Sequence, residues 1–382
     1  MKYFLKYMVV IFTIGFVFVS CCKKDLSDDQ YIAFAQQIEQ DLNQGNDSLL
    51  KNSFDTNTFK ERILAGVDEN EQKNPKLDKI LQNPPIYFSK ISNSIENGAD
   101  FRFLRFYRDA EKKPHAIFQT YGSDGSIALE DWYLKAEKGQ VKICDIFDLI
   151  SGIFWSDESR YQICSSLGLF TDNFLKNNNL INAGLLISEA KYKKADSILQ
   201  PILKKEPNNL YARTIELNLM SNSKTYEQTH ALAEQFIKDF PAQKRTATFY
   251  LLQSSIRHGL VDESIEHINT LRELLGETPL WNTYLAFSYQ SANEFDYALQ
   301  YLDSAIAQMP NYSLYMSKLD VAYSAENYAK CMEAIMQSDA LYSTDNADII
   351  RYKQAYPKLS QSIDFQQWET TLTNKDVADI NN

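Results

Sequence analysis

One proline-ended phrase recurs through the second half of the chain and limits the possible folds more than any other feature. Ala195-x-x-x-Leu199-x-x-Ile202-x-x-x-x-Pro207 and Ala298-x-x-x-Leu302-x-x-Ala305-x-x-x-x-Pro310 are the same phrase. Pro207 and Pro241 lie 34 residues apart, and Pro241 and Pro310 lie 69 apart, close to twice that period. A fixed period of this length means that one supersecondary unit is stacked on copies of itself. Apolar residues at three-and-four spacing make each unit helical. The small residue lets two helices approach closely, the bulky residue four later fills the groove against the next unit, and proline ends the second helix. Thr229 takes the small position in the second unit and Ser264 in the third, which ends Gly276-Glu277-Thr278-Pro279. In the fourth, Leu285, Ala286 and Tyr289 occupy the first-helix core positions; a fifth, degenerate unit from Asn311 to Leu341 uses Cys331.

The period and the Ala-x-x-x-bulky … Pro phrase resemble tetratricopeptide repeats. That resemblance implies an all-α superhelix over residues 156–346, closed by a capping helix and tail over 347–382. It also implies a concave groove, lined by the first helix of each repeat, that takes an extended segment or a helix of a protein partner. Repeat position assigns Thr214, Asn218, Phe249, Gln253, Thr283 and Phe287 to this groove. Phe249 and Phe287 are equally readable as core between repeats.

The N-terminus bears on the compartment. Lys2 and Lys6 form a positive n-region, and a twelve-residue apolar run from Met8 to Val19 follows before Ser20-Cys21-Cys22-Lys23-Lys24. A membrane span needs about 20 apolar residues, so this run has the length of a signal-peptide core. Phe18-Val19-Ser20-Cys21 resembles a bacterial lipobox, with Phe in place of the usual Leu at its first position. The resemblance implies removal of residues 1–20, a diacylglyceryl thioether on Cys21, acylation of its new amino group, and residues 21–29 as lipidated tether. The expected location is therefore the cell-envelope membrane, specifically the outer membrane at its periplasmic or surface face. Two or more acyl chains anchor stably where one is marginal.

Between tether and repeats, residues 30–155 read as an α+β domain. Ile32, Ala35, Ile38 and Leu42 keep helical spacing behind a cap at Asp28 or Asp29, a second helical stretch covers about 47–66, and a third covers about 85–95. Four runs with β-branched and aromatic enrichment follow: 101–108, 116–121, 127–135 and 141–149. Gly122-Ser123-Asp124-Gly125 and Glu137-Lys138-Gly139 supply turn chemistry between them. The short connections predict a four-stranded antiparallel meander with helices on one face. Element order and the Trp132-Tyr133-Leu134 … Val141-Lys142-Ile143 strand pair resemble the NTF2-like (cystatin-like cone) family. That resemblance implies a conical pocket, with Tyr107, Tyr121, Trp132 and Asp145 as lining candidates, and a carboxylate such as that of ketosteroid isomerases inside it. Period-2 alternation puts Val141, Ile143, Asp145 and Phe147 on one face, although Ile146 could equally define the inward side.

Charge excludes one class of partner. With 50 acidic and 39 basic residues the formal charge is −11, more negative once Lys2 and Lys6 leave with the leader. Such a surface repels phosphate backbones, and nucleic acid is not an expected partner. His115, His230, His258 and His267 are scattered, without paired-ligand spacing, and read as surface or half-buried residues. Cys144, Cys164 and Cys331 read as buried single thiols, a Cys144–Cys164 bridge remaining open. No catalytic constellation, metal or cofactor is expected. Two functions remain: a lipid-anchored interaction scaffold, or a cone domain that binds or converts a small molecule with the repeats as accessory.

Overall fold

The computed structural model describes residues 26–65, 67, 71–73, 75–81, 87–167 and 172–380. The leader, Cys21 and Cys22 lie outside the described residues.

Helix α1 (Asp28–Asn43) buries Tyr31, Ala35, Ile38 and Leu42, one helical stripe, each 2% exposed or less. Its cap is Ser27, not Asp28 or Asp29: Ser27 N donates to Gln30 Oε1 at 3.0 Å, closing a capping box. The helix expected over 47–66 is broken into α2 (Ser48–Ser53) and α3 (Thr56–Leu64). The break lies where Phe54 bridges to Ile143 and Asp55 N donates to Ile143 O at 2.8 Å, so bonding to the sheet interrupts the helical ladder. An unexpected α4 (Pro75–Leu81) precedes α5 (Tyr87–Glu96).

The meander follows as β1 (Asp100–Arg108), β2 (Pro114–Tyr121), β3 (Ile127–Glu137) and β4 (Gln140–Asp148). A two-residue strand, β5 (Ile153–Phe154), makes five strands rather than four, all antiparallel in the order 1-2-3-4-5. Lys138 and Gly139 both take positive φ between the paired Glu137 and Gln140, which is the backbone of a tight two-residue hairpin. Register shifts at Phe103/Arg105 and Tyr133/Leu134 insert Leu104 in β1 and Cys144 in β4 as extra residues. The second shift overturns the simple alternation expected for β4. Ile143 and Ile146 both pack toward the N-terminal helices, whereas Phe147 packs on the opposite face.

Helices α6 (Trp155–Leu167) and α7 (Asp172–Ser188) lead into the repeats. Among the described residues, five antiparallel helix pairs follow one another. They are α7 with α8 (Tyr192–Lys205), α9 (Leu210–Ser223) with α10 (Tyr226–Asp239), α11 (Lys244–Arg257) with α12 (Val261–Leu275), α13 (Leu280–Ser291) with α14 (Phe295–Gln308), and α15 (Tyr312–Ser324) with α16 (Tyr328–Tyr342). The small-position residues Ala195, Thr229, Ser264, Ala298 and Cys331 are all 0% exposed. This region is an array of stacked antiparallel helix pairs with a small, buried residue on the second helix of each. Three closing helices, α17 (Asn346–Ala355), α18 (Pro357–Ser360) and α19 (Ile363–Ile380), bury Ile349, Tyr352, Leu359, Phe365 and Trp368 against its end. No helix of the described residues is long and apolar enough to cross a membrane.

Both faces of the sheet are covered, where the sequence suggested only one. Phe101, Ala116, Phe118, Trp132, Ile143 and Ile146 pack under α1 and its neighbours. Ile117, Tyr121, Leu129, Phe147 and Leu149 join one continuous core with Phe249, Leu252, Trp281 and Tyr284 of the repeats. Two smaller cores lie within the array, one between α7, α8 and α9 and one between α9, α10 and α11.

Candidate interaction surface

The first helices of successive pairs, α9, α11, α13 and α15, form the side of the array that meets the sheet. Thr214 of α9 is 1% exposed; its hydroxyl donates to Leu210 O at 3.0 Å. Its side chain lies so close to Gly152, a positive-φ glycine after β4, that an added Cβ there would overlap it. Phe249 of α11 is 3% exposed, its ring edge-on to Tyr284 at 5.8 Å. Thr283 of α13 is 1% exposed and its hydroxyl has no hydrogen-bond partner among the described residues.

The other three groove candidates sit one helical turn further along the same helices and keep partial exposure. Asn218 and Phe287 are half-buried, as is Gln253. Asn218 accepts from Asn222 Nδ2 through its side chain at 2.8 Å and its carbonyl at 2.9 Å. Phe287 rests edge-on against Tyr284 at 6.5 Å. The six positions therefore divide: Thr214, Phe249 and Thr283 are covered, and Asn218, Gln253 and Phe287 form a strip that solvent still reaches.

A buried polar cluster ties the sheet to α11. Asp131 on β3 is 0% exposed and accepts from Arg245 Nη2 at 2.8 Å, Tyr107 Oη at 2.5 Å and, across 3.0 Å, bonds His115 Nδ1. Arg245 also donates to Tyr107 Oη at 2.9 Å, its guanidinium over the Tyr107 ring at 4.9 Å. Burial acts to raise the Asp131 pKa, but the bond to His115 and the Arg245 charge overcome it and hold the carboxyl below the ordinary aspartate range. Burial first, and then the Asp131 charge, push the Tyr107 phenol upward. Sequence reasoning missed this cluster. His115, expected at or near the surface, is 2% exposed; His267, 8% exposed, bonds Tyr226 Oη at 2.8 Å. The available signal was on β2, where Ala116-Ile117-Phe118 is apolar on both sides of the strand, so the face that His115 shares with Ile117 needs cover.

The pocket candidates do not line one cavity. Trp132 faces the N-terminal helices, whereas Tyr107 and Tyr121 face the repeats. Asp145 is 0% exposed and fully engaged: it accepts from Arg62 at 2.8 Å, Ser156 Oγ at 2.6 Å, Ser156 N at 3.2 Å and Ile146 N at 2.9 Å. Burial raises its pKa against the opposing bonds from Ser156 and Arg62. The carboxylate pins α3, β4 and α6 together, leaving little acceptor capacity for a substrate. A surface depression lined by Phe54, Asp55, Asn57, Lys138 and Lys142 includes none of the four candidates. Cys144 and Cys331 are free and buried, and burial pushes their thiols up to about 11 and about 12. The side chain of Cys164 lies outside the described residues.

No family model matches the chain, and no curated protein matches it. Among solved structures the chain is similar to TTC0263, a thermophilic TPR protein in Thermus thermophilus, at 13% identity over 47% of this chain and 98% of that one, with a TM-score of 0.37. It is similar to PilW, a widely conserved type IV pilus biogenesis factor, at 14% identity over 52% and 93%, TM-score 0.36. Similarity to pilF of Pseudomonas aeruginosa is 15% identity over 56% and 87%, TM-score 0.31.

Proposed function

We propose that this chain is a protein–protein interaction scaffold, held at a bacterial cell-envelope membrane by lipid on Cys21. The observation that carries the reading is the partly exposed strip on the first helices: Asn218 and Gln253 offer amide donors and acceptors at equivalent turns of adjacent repeats, with Phe287 as an aromatic contact beyond them. Polar groups repeated at the spacing of stacked helices suit the backbone of an extended partner segment. The N-terminal domain, which we read as NTF2-like from its helices-then-meander order, acts as a spacer between lipid and array. The positive n-region, the short apolar run and the Ser20-Cys21 junction support export and anchoring.

The test is the double substitution Asn218→Ala with Gln253→Ala, compared with wild type by affinity capture from detergent-solubilised membranes. Each lost hydrogen bond is worth on the order of 1 kcal/mol, so partner affinity should fall roughly 10–30-fold while circular dichroism stays unchanged. Unchanged recovery of every partner would move binding off the strip.

A further inference from the structure

We infer that the sheet is a built-in competitor for the concave surface of the array: it is docked there by the Asp131–Arg245 contact and can be displaced by a groove ligand. The inference rests on the scaffold reading above and adds its regulation. Of the covered groove candidates, which lie where tetratricopeptide geometry would seat a ligand, Thr214 meets the turn after β4 and Phe249 belongs to the core that strands β2–β4 share with the repeats.

The seam adds polar contacts around the apolar core that the sheet shares with the repeats. Besides the Arg245 contacts, Gln119 Oε1 accepts from Thr278 Oγ1 at 2.6 Å, Ile150 O from Tyr250 Oη at 2.5 Å, and Gln308 O from Arg102 at 3.1 Å. Such polar content is typical of domain–domain contacts. Each body also has a core that does not use the seam, under α1 on one side and between α7, α8 and α9 on the other. The docked state is imperfectly satisfied. Gln119 Nε2 and Thr283 Oγ1 are buried there with no hydrogen-bond partner among the described residues, and leaving such groups unpaired costs the docked state stability. A sheet that occupies the groove lowers the apparent affinity of any groove ligand by the fraction of molecules undocked.

Two full-length variants loosen the seam by unrelated means. Asp131→Asn removes the charge that Arg245 meets. Gly276→Ala puts a Cβ 2.7 Å from Leu104 O at a φ of +102°, wedging the β1 bulge off the end of α12. Spin labels carried by genetically encoded amino acids at exposed positions 138 and 234 report the separation, and the dye bis-ANS reports uncovered apolar surface. Either variant should raise the undocked fraction about 10- to 100-fold, with a second, longer label distance and increased dye binding at unchanged helical circular dichroism. An unchanged single distance in both folded variants overturns the inference and leaves the exposed strip untouched. If the sheet undocks yet the variants capture no more protein from solubilised membranes than wild type, the scaffold reading fails and the displaceable sheet stands. Should both variants fail to fold, the labelled wild type in a urea series decides. A longer distance that appears before helicity is lost supports displacement, and simultaneous loss refutes it.

Discussion

Glu130 makes the stability of this protein fall as pH rises. Its side chain, 6% exposed, lies on the helix-covered face of β3 beside Trp132, whose Nε1 donates to it at 3.0 Å. Asp148 stands directly opposite on β4. Burial pushes the Glu130 pKa from 4.5 up to about 7, with the Trp132 bond opposing and Asp148 adding to the rise. Between those values the folded chain holds a proton that the unfolded chain has released. The stabilisation is therefore fully present below pH 4.5 and is lost as pH rises through 7. The difference corresponds to about 3 kcal/mol at about 1.36 kcal/mol per pKa unit, most of it falling between about pH 5 and 8. Aspartates held below their ordinary range, such as Asp131 and Asp55, lose their contribution only at more acid pH and stay out of that window. Asp145 and Asp148 are raised and slope the same way, so the measurement is a difference against Glu130→Gln, which keeps an oxygen for Trp132 without a titrating proton. Urea titrations of both proteins at pH 5, 6, 7 and 8 should show Glu130→Gln gaining about 2–3 kcal/mol on wild type across the series. Parallel profiles would refute the reasoning, because they would mean that Glu130 is solvated or paired with a cation.

Ala298→Trp should destabilise the array by about 1–3 kcal/mol or more through overpacking at a position with 0% exposure; an unchanged melting temperature would count against the helix contact assigned to it. Gly152→Ala should cost about 1–2 kcal/mol for its left-handed φ of +71° plus the overlap with Thr214, and adding Thr214→Ala should return the overlap part in a double-mutant denaturation cycle. Replacing Cys21 by Ser should abolish incorporation of a clickable fatty acid and leave unprocessed precursor; undiminished label would move the acyl site to Cys22 or remove the anchor.

The repeat register was legible because it is written in size. A residue that must sit where two helix axes approach has to be small, and Ala195, Thr229, Ser264, Ala298 and Cys331 mark that place in each pair. The four long strands were legible from their turns. The bulge at Cys144 was not, since an extra residue leaves no local mark, and it reversed the face on which Asp145 was read. Nor was the cover over the second face, although Ala116-Ile117-Phe118 is apolar on both sides of the strand, a pattern of sheets buried twice. Once that face is known to be covered, Asp131 becomes the partner of a cation more than a hundred residues away, with His115 bonded beside it. For the same reason repeat position alone put six residues in the groove without separating the three that are buried from the three that solvent still reaches.

The second face of the sheet also sets an order of events during synthesis. Ile117, Leu129 and Phe147 are made well before the residues that cover them, which lie between Phe249 and Tyr315. At about 5–20 residues per second, ribosomal delivery of those partners lags by roughly 5–40 s. Throughout that interval a finished sheet would show the surroundings an apolar surface and the backbone of its β1 edge, the features that invite strand addition by other chains. The nascent protein should therefore depend on a holding chaperone until the first helix of its fifth pair has emerged, and a chain truncated after residue 240 should aggregate even though every strand of its sheet is present.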